Sequence, residues 1–109
     1  MTGEEFVRLC FEEKEAMLKL YLSPESGSEV ARRVRELVSG GADREKLRNL
    51  LDLALTESWY TMLLALDGSA SLGGTQMTYA LHDEDGNVLN ECGELEAAAW
   101  DQFMEKTSA

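Results

Sequence analysis

The longest periodic segment of the chain, residues 42–66, constrains the fold more than any other feature. Its apolar residues recur at the three-and-four spacing that puts side chains on one face of a helix; they are Leu47, Leu50, Leu51, Ala54, Leu55, Trp59, Met62, Leu63 and Leu66. Asp43 is a residue type that caps helix N-termini, and Gly68 is the type that ends helices. We therefore predict a helix over residues 44–66, with the other segments packed around it.

A second apolar row lies on the opposite side of this predicted helix and is formed by Leu53, Tyr60 and Leu64. Because of this row, we expect the last two turns to be covered on all sides. The uncharged stretch, residues 59–66, is far too short to cross a bilayer. The sequence therefore favours a core helix over a membrane span.

Three other segments also show helical patterns. Residues 4–22 are amphipathic and end before Pro24, since proline disfavours the helical conformation in the residue that precedes it. Residues 28–38 form a shorter pattern that ends at Gly40. Residues 94–105 begin with acidic side chains, which complement the positive N-terminal end of a helix dipole. We predict a helix over each of these ranges.

The segment between the last two predicted helices shows strand periodicity. Residues 75–82 alternate apolar and polar side chains, residues 83–87 read DEDGN, and residues 88–92 could return as a second strand. Two strands alone are marginal in water, so the hairpin must pack on the helices or pair with a second subunit. We predict a single α+β domain over residues 1–109, mostly helical, with four helices and a β-hairpin at 75–92 between helices 3 and 4.

Acidic residues dominate the later half of the chain. The net charge is −11, and residues 49–109 hold eleven acids opposed only by Lys106. This balance argues against a nucleic-acid partner, which needs clustered Lys and Arg. The acids either form a solubilising surface or meet a basic protein partner. The candidate partner-binding residues are Asp83, Glu84, Asp85, Glu91, Glu94, Glu96 and Trp100.

The first predicted helix carries a wider apolar arc than an ordinary surface helix. One flank of that arc is formed by Val7, Phe11, Leu18 and Leu22. Either this helix is sandwiched between neighbours inside the monomer, or the flank is a partner-binding or dimer surface. These four residues are the candidates for self-association.

Basic residues cluster at one place in the sequence, on the outer face of the second predicted helix. Arg32, Arg33 and Arg35 could bind an acidic ligand, remain solvated or dock against the acidic half of the same chain. Glu29 precedes Arg33 by four residues, the favourable order for an ion pair within a helix.

Residues suited to catalysis or metal binding are few. His82 is the single histidine, so no multi-histidine metal site can form, and we expect no metal or cofactor. Cys10 and Cys92 lack CxxC spacing, which favours packed, reduced thiols. A small-molecule enzyme would have to use the region of His82, Cys92 and Tyr79, where the sequence specifies neither a lowered thiol pKa nor an oxyanion hole.

The N-terminal residues are acidic where a secretory signal would be basic, so we expect no targeting segment and a cytoplasmic location. Between residues 66 and 103, LDG followed by YALHDEDGNVLNECGELEAAAWDQF resembles small uncharacterised bacterial cytosolic proteins, some of the toxin-immunity kind. The resemblance implies a bacterial origin and a binding role. The leading hypothesis is a non-catalytic, immunity-like or inhibitor-like protein-binding module. The alternatives are a self-associating homodimer and an enzyme using the His82/Cys92 region.

Overall fold

The computed structural model describes residues 1–105, which form four α-helices joined by irregular segments. The helices are α1 (Gly3–Leu22), α2 (Glu29–Ser39), α3 (Arg44–Leu66) and α4 (Glu94–Ala99). A short 3₁₀ turn, Glu91–Gly93, precedes α4, and a π-helical turn, Trp100–Glu105, extends it. The sequence placed the bounds of the first three helices to within one residue. The fourth segment was predicted as one helix and instead changes from α to π geometry at Trp100.

Side-chain caps explain where the first three helices begin. In each, the residue before the helix accepts a hydrogen bond from a first-turn backbone N–H that has no partner inside the helix. The capping residues are Thr2, Ser28 and Asp43. Gly68 takes the left-handed conformation, with φ 80°, directly after α3. The predicted limits of α3 are confirmed.

The helix at the centre of the fold is α1, which packs against α2, α3 and α4. The molecule is elongated, with extents of 48 × 29 × 28 Å. The prediction that α3 is enclosed by the other segments is wrong. Leu63 is buried, but Leu50, Leu53 and Met62 are 63%, 62% and 44% exposed. The reason is that α1 and α4 cover only one face of α3, which leaves Leu50 and Met62 of the first apolar row and Leu53 of the second row open to solvent.

The hydrophobic core lies where α1, α3 and α4 meet. It is formed by Val7, Cys10, Leu63, Leu95, Ala98, Ala99 and Phe103. The alanines of α4 let that helix approach its neighbours closely, and the Phe103 ring meets Phe11 edge-on at 5.3 Å between centroids. Within residues 1–105, no helix combines the length and apolar character that crossing a membrane requires.

The predicted α+β fold with its β-hairpin is wrong, because residues 1–105 contain no β-strand and are otherwise helical or irregular. Two isolated antiparallel bridges, Leu72 with Thr75 and His82 with Val88, are the nearest approach to a sheet in this part of the chain. Residues 76–81 take no regular secondary structure and have no partner strand in the described range.

A side chain takes the place of that partner strand. The Asn90 amide nitrogen donates to the carbonyls of Leu66 and Tyr79, at 2.9 and 2.7 Å, and its oxygen accepts from Leu81 N at 3.0 Å. These bonds satisfy backbone groups that a ladder would otherwise pair. They also tie residues 79–81 to the C-terminal end of α3.

Candidate protein-binding surface

An open cleft of about 520 Å³ lies between the end of α3 and the start of α4. Its lining residues are Tyr60, Cys92, Gly93, Glu96, Ala97, Trp100 and Asp101. We call it the Trp100 cleft. The Trp100 side chain is 52% exposed and meets the Tyr60 ring edge-on, with centroids 6.4 Å apart and planes at 61°. Two aromatic rings therefore stand next to carboxylates at the surface.

The π-helical turn accounts for the exposure of Trp100. A π-helix has a wider turn than an α-helix, and such turns occur frequently at functional sites. Each residue of a π-helix turns through a smaller angle about the helix axis than a residue of an α-helix. Side chains three residues apart, such as those of Trp100 and Phe103, therefore point in directions that differ more than they would in an α-helix. Phe103 is completely buried in the core, whereas Trp100 faces solvent.

Backbone conformation and one aspartate fix the entry into α4. Cys92 and Gly93 are both left-handed, with φ 51° and 73°, a conformation uncommon for a residue other than glycine. Asp67 Oδ2 accepts from Glu96 N at 2.9 Å, which caps the first turn from a distant part of the chain. Ser69 Oγ donates to Glu96 Oε2 at 2.6 Å. Glu96 is thus positioned at the edge of the cleft.

Of the six predicted partner-binding acids, Glu96 lies at the edge of the cleft, and the other five fall into two groups. Glu84, Asp85 and Glu91 are exposed, and their carboxylates make no hydrogen bond or ion pair with any residue among 1–105. Asp83 and Glu94 instead hold the fold together. Asp83 accepts from the Met1 amino group at 3.0 Å and from the Asn87 amide at 2.8 Å, while Glu94 Oε1 accepts from Gly3 N at 3.0 Å.

Two hydrogen bonds from Asn87 hold the pKa of Asp83 well below its usual range. The bond from the Asn87 side chain has the larger effect, and the bond from its backbone N–H has the next largest. The hydrogen bond that the Met1 amino group donates to Asp83 raises the pKa of that amino group. Asp83 is therefore a turn-forming carboxylate, already engaged by neighbouring donors.

The arginines of α2 do not neutralise the acidic half of the chain. Arg32 and Arg33 pair with Glu29 and Glu36 on their own helix. Arg35 donates to two backbone carbonyls in the loop before α2. Among residues 49–104, the described ion pairs involve only Asp52 and Asp83. Asp101, in the Trp100 cleft, has no described ion-pair partner.

The four residues predicted for self-association belong to the interior of the monomer. Val7 and Leu18 are buried, Phe11 packs on Phe103, and Leu22 is partly covered. This agrees with the alternative in which α1 is sandwiched between neighbours. The flank is not an open surface.

The residues of the enzyme alternative line two different clefts. Cys92 belongs to the Trp100 cleft, whereas His82 lines an apolar groove of about 460 Å³ together with Trp59 and Cys10. Burial raises the pKa of the Cys10 thiol, which disfavours its reactive thiolate. No group of three metal-ligating side chains is brought together within the described residues 1–105.

The structure also contains a basic groove that the sequence did not predict. It has a volume of about 580 Å³, and its charged lining residues are Glu15, Lys19, Arg44 and Arg48. Arg44 donates to the carbonyl of Leu22 at 3.0 Å, across the interface between α1 and α3. The available signal was the spacing of Arg44 and Arg48 at i and i+4 in the first turns of α3.

No protein-family model, curated protein or solved structure matches the chain. The resemblance to bacterial proteins of the toxin-immunity kind therefore stays a prediction from the sequence.

Proposed function

We propose that the chain is a non-catalytic protein-binding module that receives a basic segment of a protein partner in the Trp100 cleft. The observation that carries the proposal is the half-exposed indole of Trp100, flanked by Glu96, Asp101 and the Tyr60 ring. An arginine or lysine side chain is attracted to an aromatic face, and indole is the strongest such acceptor. Neighbouring carboxylates add charge complementarity.

The wider charge distribution supports the same proposal. A net charge of −11 attracts a basic partner over distances beyond direct contact and speeds its association. Glu84, Asp85 and Glu91 are free of described internal partners, so they can contribute to this field. An immunity-like or inhibitor-like role in the bacterial cytoplasm, which the sequence resemblance implies, would use such a surface against a basic protein.

A direct test uses a short arginine–serine peptide and an equally long glutamate–serine peptide. In a Trp59→Phe background, Trp100 is the remaining tryptophan, so its fluorescence reports contact at the cleft. We expect the arginine peptide to change the emission at low salt and the glutamate peptide to leave it unchanged. Calorimetry in the natural background should show about tenfold weaker binding for Trp100→Ala, as expected for a partly desolvated cation–π contact.

A matched pair of double variants separates a specific surface from general attraction to an acidic protein. Glu96→Gln/Asp101→Asn removes two charges beside Trp100, and Glu12→Gln/Glu13→Gln removes two exposed charges from α1. We expect only the first pair to weaken binding strongly at moderate salt. Equal losses for the two pairs, or unchanged binding in Trp100→Ala, would remove the cleft from the proposal.

A further inference from the structure

An apolar face of α3 is left uncovered by the rest of the monomer. Leu50 and Leu53 are each more than three-fifths exposed, and the neighbouring Ala54 is exposed as well. A surface helix normally buries its apolar stripe, whereas α3 carries apolar residues on two faces. The outer face is therefore available to another helix.

Two opposite charges frame the exposed leucines on the same face. Lys46 lies four residues before Leu50, and Glu57 lies four residues after Leu53. At 100° per residue, this 4-3-4 spacing keeps all four side chains within about 60° of arc. Lys46 and Glu57 are exposed, and neither forms an ion pair with another residue in the described range 1–105.

We propose that a second copy of this chain covers the face through antiparallel, two-fold pairing of α3 with α3. With the axis between residues 51 and 52, Leu50 lies opposite Leu53 of the second copy. The same register places Lys46 opposite Glu57 of the second copy, and the two-fold axis repeats both pairs. A parallel pairing would place Lys46 against Lys46 and Glu57 against Glu57, so the charges select the antiparallel arrangement.

The chemistry of this face matches a helix–helix seam. The 4-3-4 spacing is that of residues facing a partner helix in a coiled coil; here the two leucines lie in the middle of the seam and the two charged residues at its ends. Glu57 of the second copy would also approach the N-terminal turns of α3, whose dipole favours an anion. Four leucines form a small interface, so the dimer should dissociate in the micromolar range.

Charge reversal provides a test that does not depend on any unidentified ligand. Sedimentation equilibrium would compare the unmodified chain with Lys46→Glu, Glu57→Lys and the double variant Lys46→Glu/Glu57→Lys. We expect a dimer for the unmodified chain, about tenfold weaker association for each single variant, and recovery in the double variant. An equimolar mixture of the two single variants should dimerise, since every pair across its axis is again opposite in charge.

Control variants separate this register from general charge effects. Glu13→Lys and Lys19→Glu reverse exposed charges on α1 and should leave the association constant within twofold. Leu50→Ser should abolish the dimer, with helical content by circular dichroism confirming that the monomer remains folded. A strict monomer at high micromolar concentration overturns the proposal. A dimer insensitive to Leu50→Ser, or single variants that the double variant and the mixture do not restore, overturns it as well.

Discussion

Lys14 of α1 and Asp52 of α3 form an ion pair, with 2.8 Å between Nζ and Oδ1, in which the lysine side chain is almost completely buried. The ammonium group also lies 4.8 Å from the centroid of the Phe11 ring and 3.4 Å from Glu15 Oε1. A cation inside the helix interface requires such partners, because an unpaired buried charge is strongly destabilising. This pair therefore helps fix how α3 lies on α1.

We expect Asp52→Asn to lower the free energy of unfolding by about 2 kcal/mol, since it leaves Lys14 buried without its closest partner. The loss is smaller than for a fully buried pair because Asp52 is 32% exposed and Glu15 remains nearby. Lys14→Met should be close to neutral, as an apolar side chain of similar length needs no partner. Urea unfolding measures both changes. Equal losses in the two variants would contradict this account.

Replacing Asn90 should destabilise the chain without touching the core. Asn90→Ala removes three hydrogen bonds to backbone groups and should cost about 2–3 kcal/mol. Asn90→Asp should cost at least as much, because it turns a carboxylate oxygen toward the carbonyls of Leu66 and Tyr79. Denaturant unfolding tests this prediction, with Asn49→Asp on the exposed face of α3 as the control. An Asn90→Asp variant as stable as the unmodified chain would mean that these contacts do not hold residues 79–81 in place.

Gly3 lies where no side chain fits. A Cβ atom at this position would overlap the carbonyl oxygen of Leu89 and press on the Glu94 side chain. We expect Gly3→Ala to cost about 2 kcal/mol, as overpacking against backbone does. Gly27→Ala is the matched control, since a Cβ there meets no atom within 4 Å; it should be neutral or slightly stabilising. Thermal unfolding would contradict the prediction if the two variants behaved alike.

The turn at Asp83 should respond to pH in a definite direction. Its pKa is depressed in the folded chain, so its contribution to stability is present above the unfolded pKa of about 3.9. That contribution is lost as the pH falls through the folded pKa. We expect Asn87→Ala to raise the pKa of Asp83 toward the usual range, as read from its carboxyl resonance in an NMR titration. Asn49→Ala should leave it unchanged; an unchanged pKa in Asn87→Ala would contradict the assigned cause.

The aromatic residues of the π-helical turn should differ sharply in their effect on stability. Phe103→Ala leaves a cavity among α1, α3 and α4 and should cost about 3–5 kcal/mol. Trp100→Ala removes a half-exposed ring and should cost about 1 kcal/mol or less. Urea unfolding of both variants provides the comparison. Similar costs would mean that Trp100 belongs to the core and not to a binding surface.

Helix bounds were predictable because the signals that set them are local. Asp43 can cap α3 and Pro24 can end α1 whatever the rest of the chain does. The hairpin prediction was wrong because the alternation at residues 75–82 is typical of a strand but does not provide a partner strand. Asn90 makes the hydrogen bonds that a partner strand would have made, and these bonds form only when distant parts of the chain pack together.

The candidate site was predictable only in part. Trp100 and Glu96 were named from their residue types, whereas their meeting with Tyr60 depends on the packing of α4 against α3. The uncovered face of α3 could not be distinguished from a buried one, since leucines at helical spacing suit both. The apolar spacing of residues 94–105 fits an α-helix, so it could not indicate the π-helical turn at Trp100–Glu105.

The π-helical turn holds Trp100 of the proposed binding surface and Phe103 of the core within one short segment. Deleting a single residue there would rotate the residues after it about the helix axis. The orientation of Trp100 relative to Phe103 would then change, and the two rings could no longer be exposed and buried as they are now. Variation in the length of this segment would therefore alter the proposed binding face and the interior together.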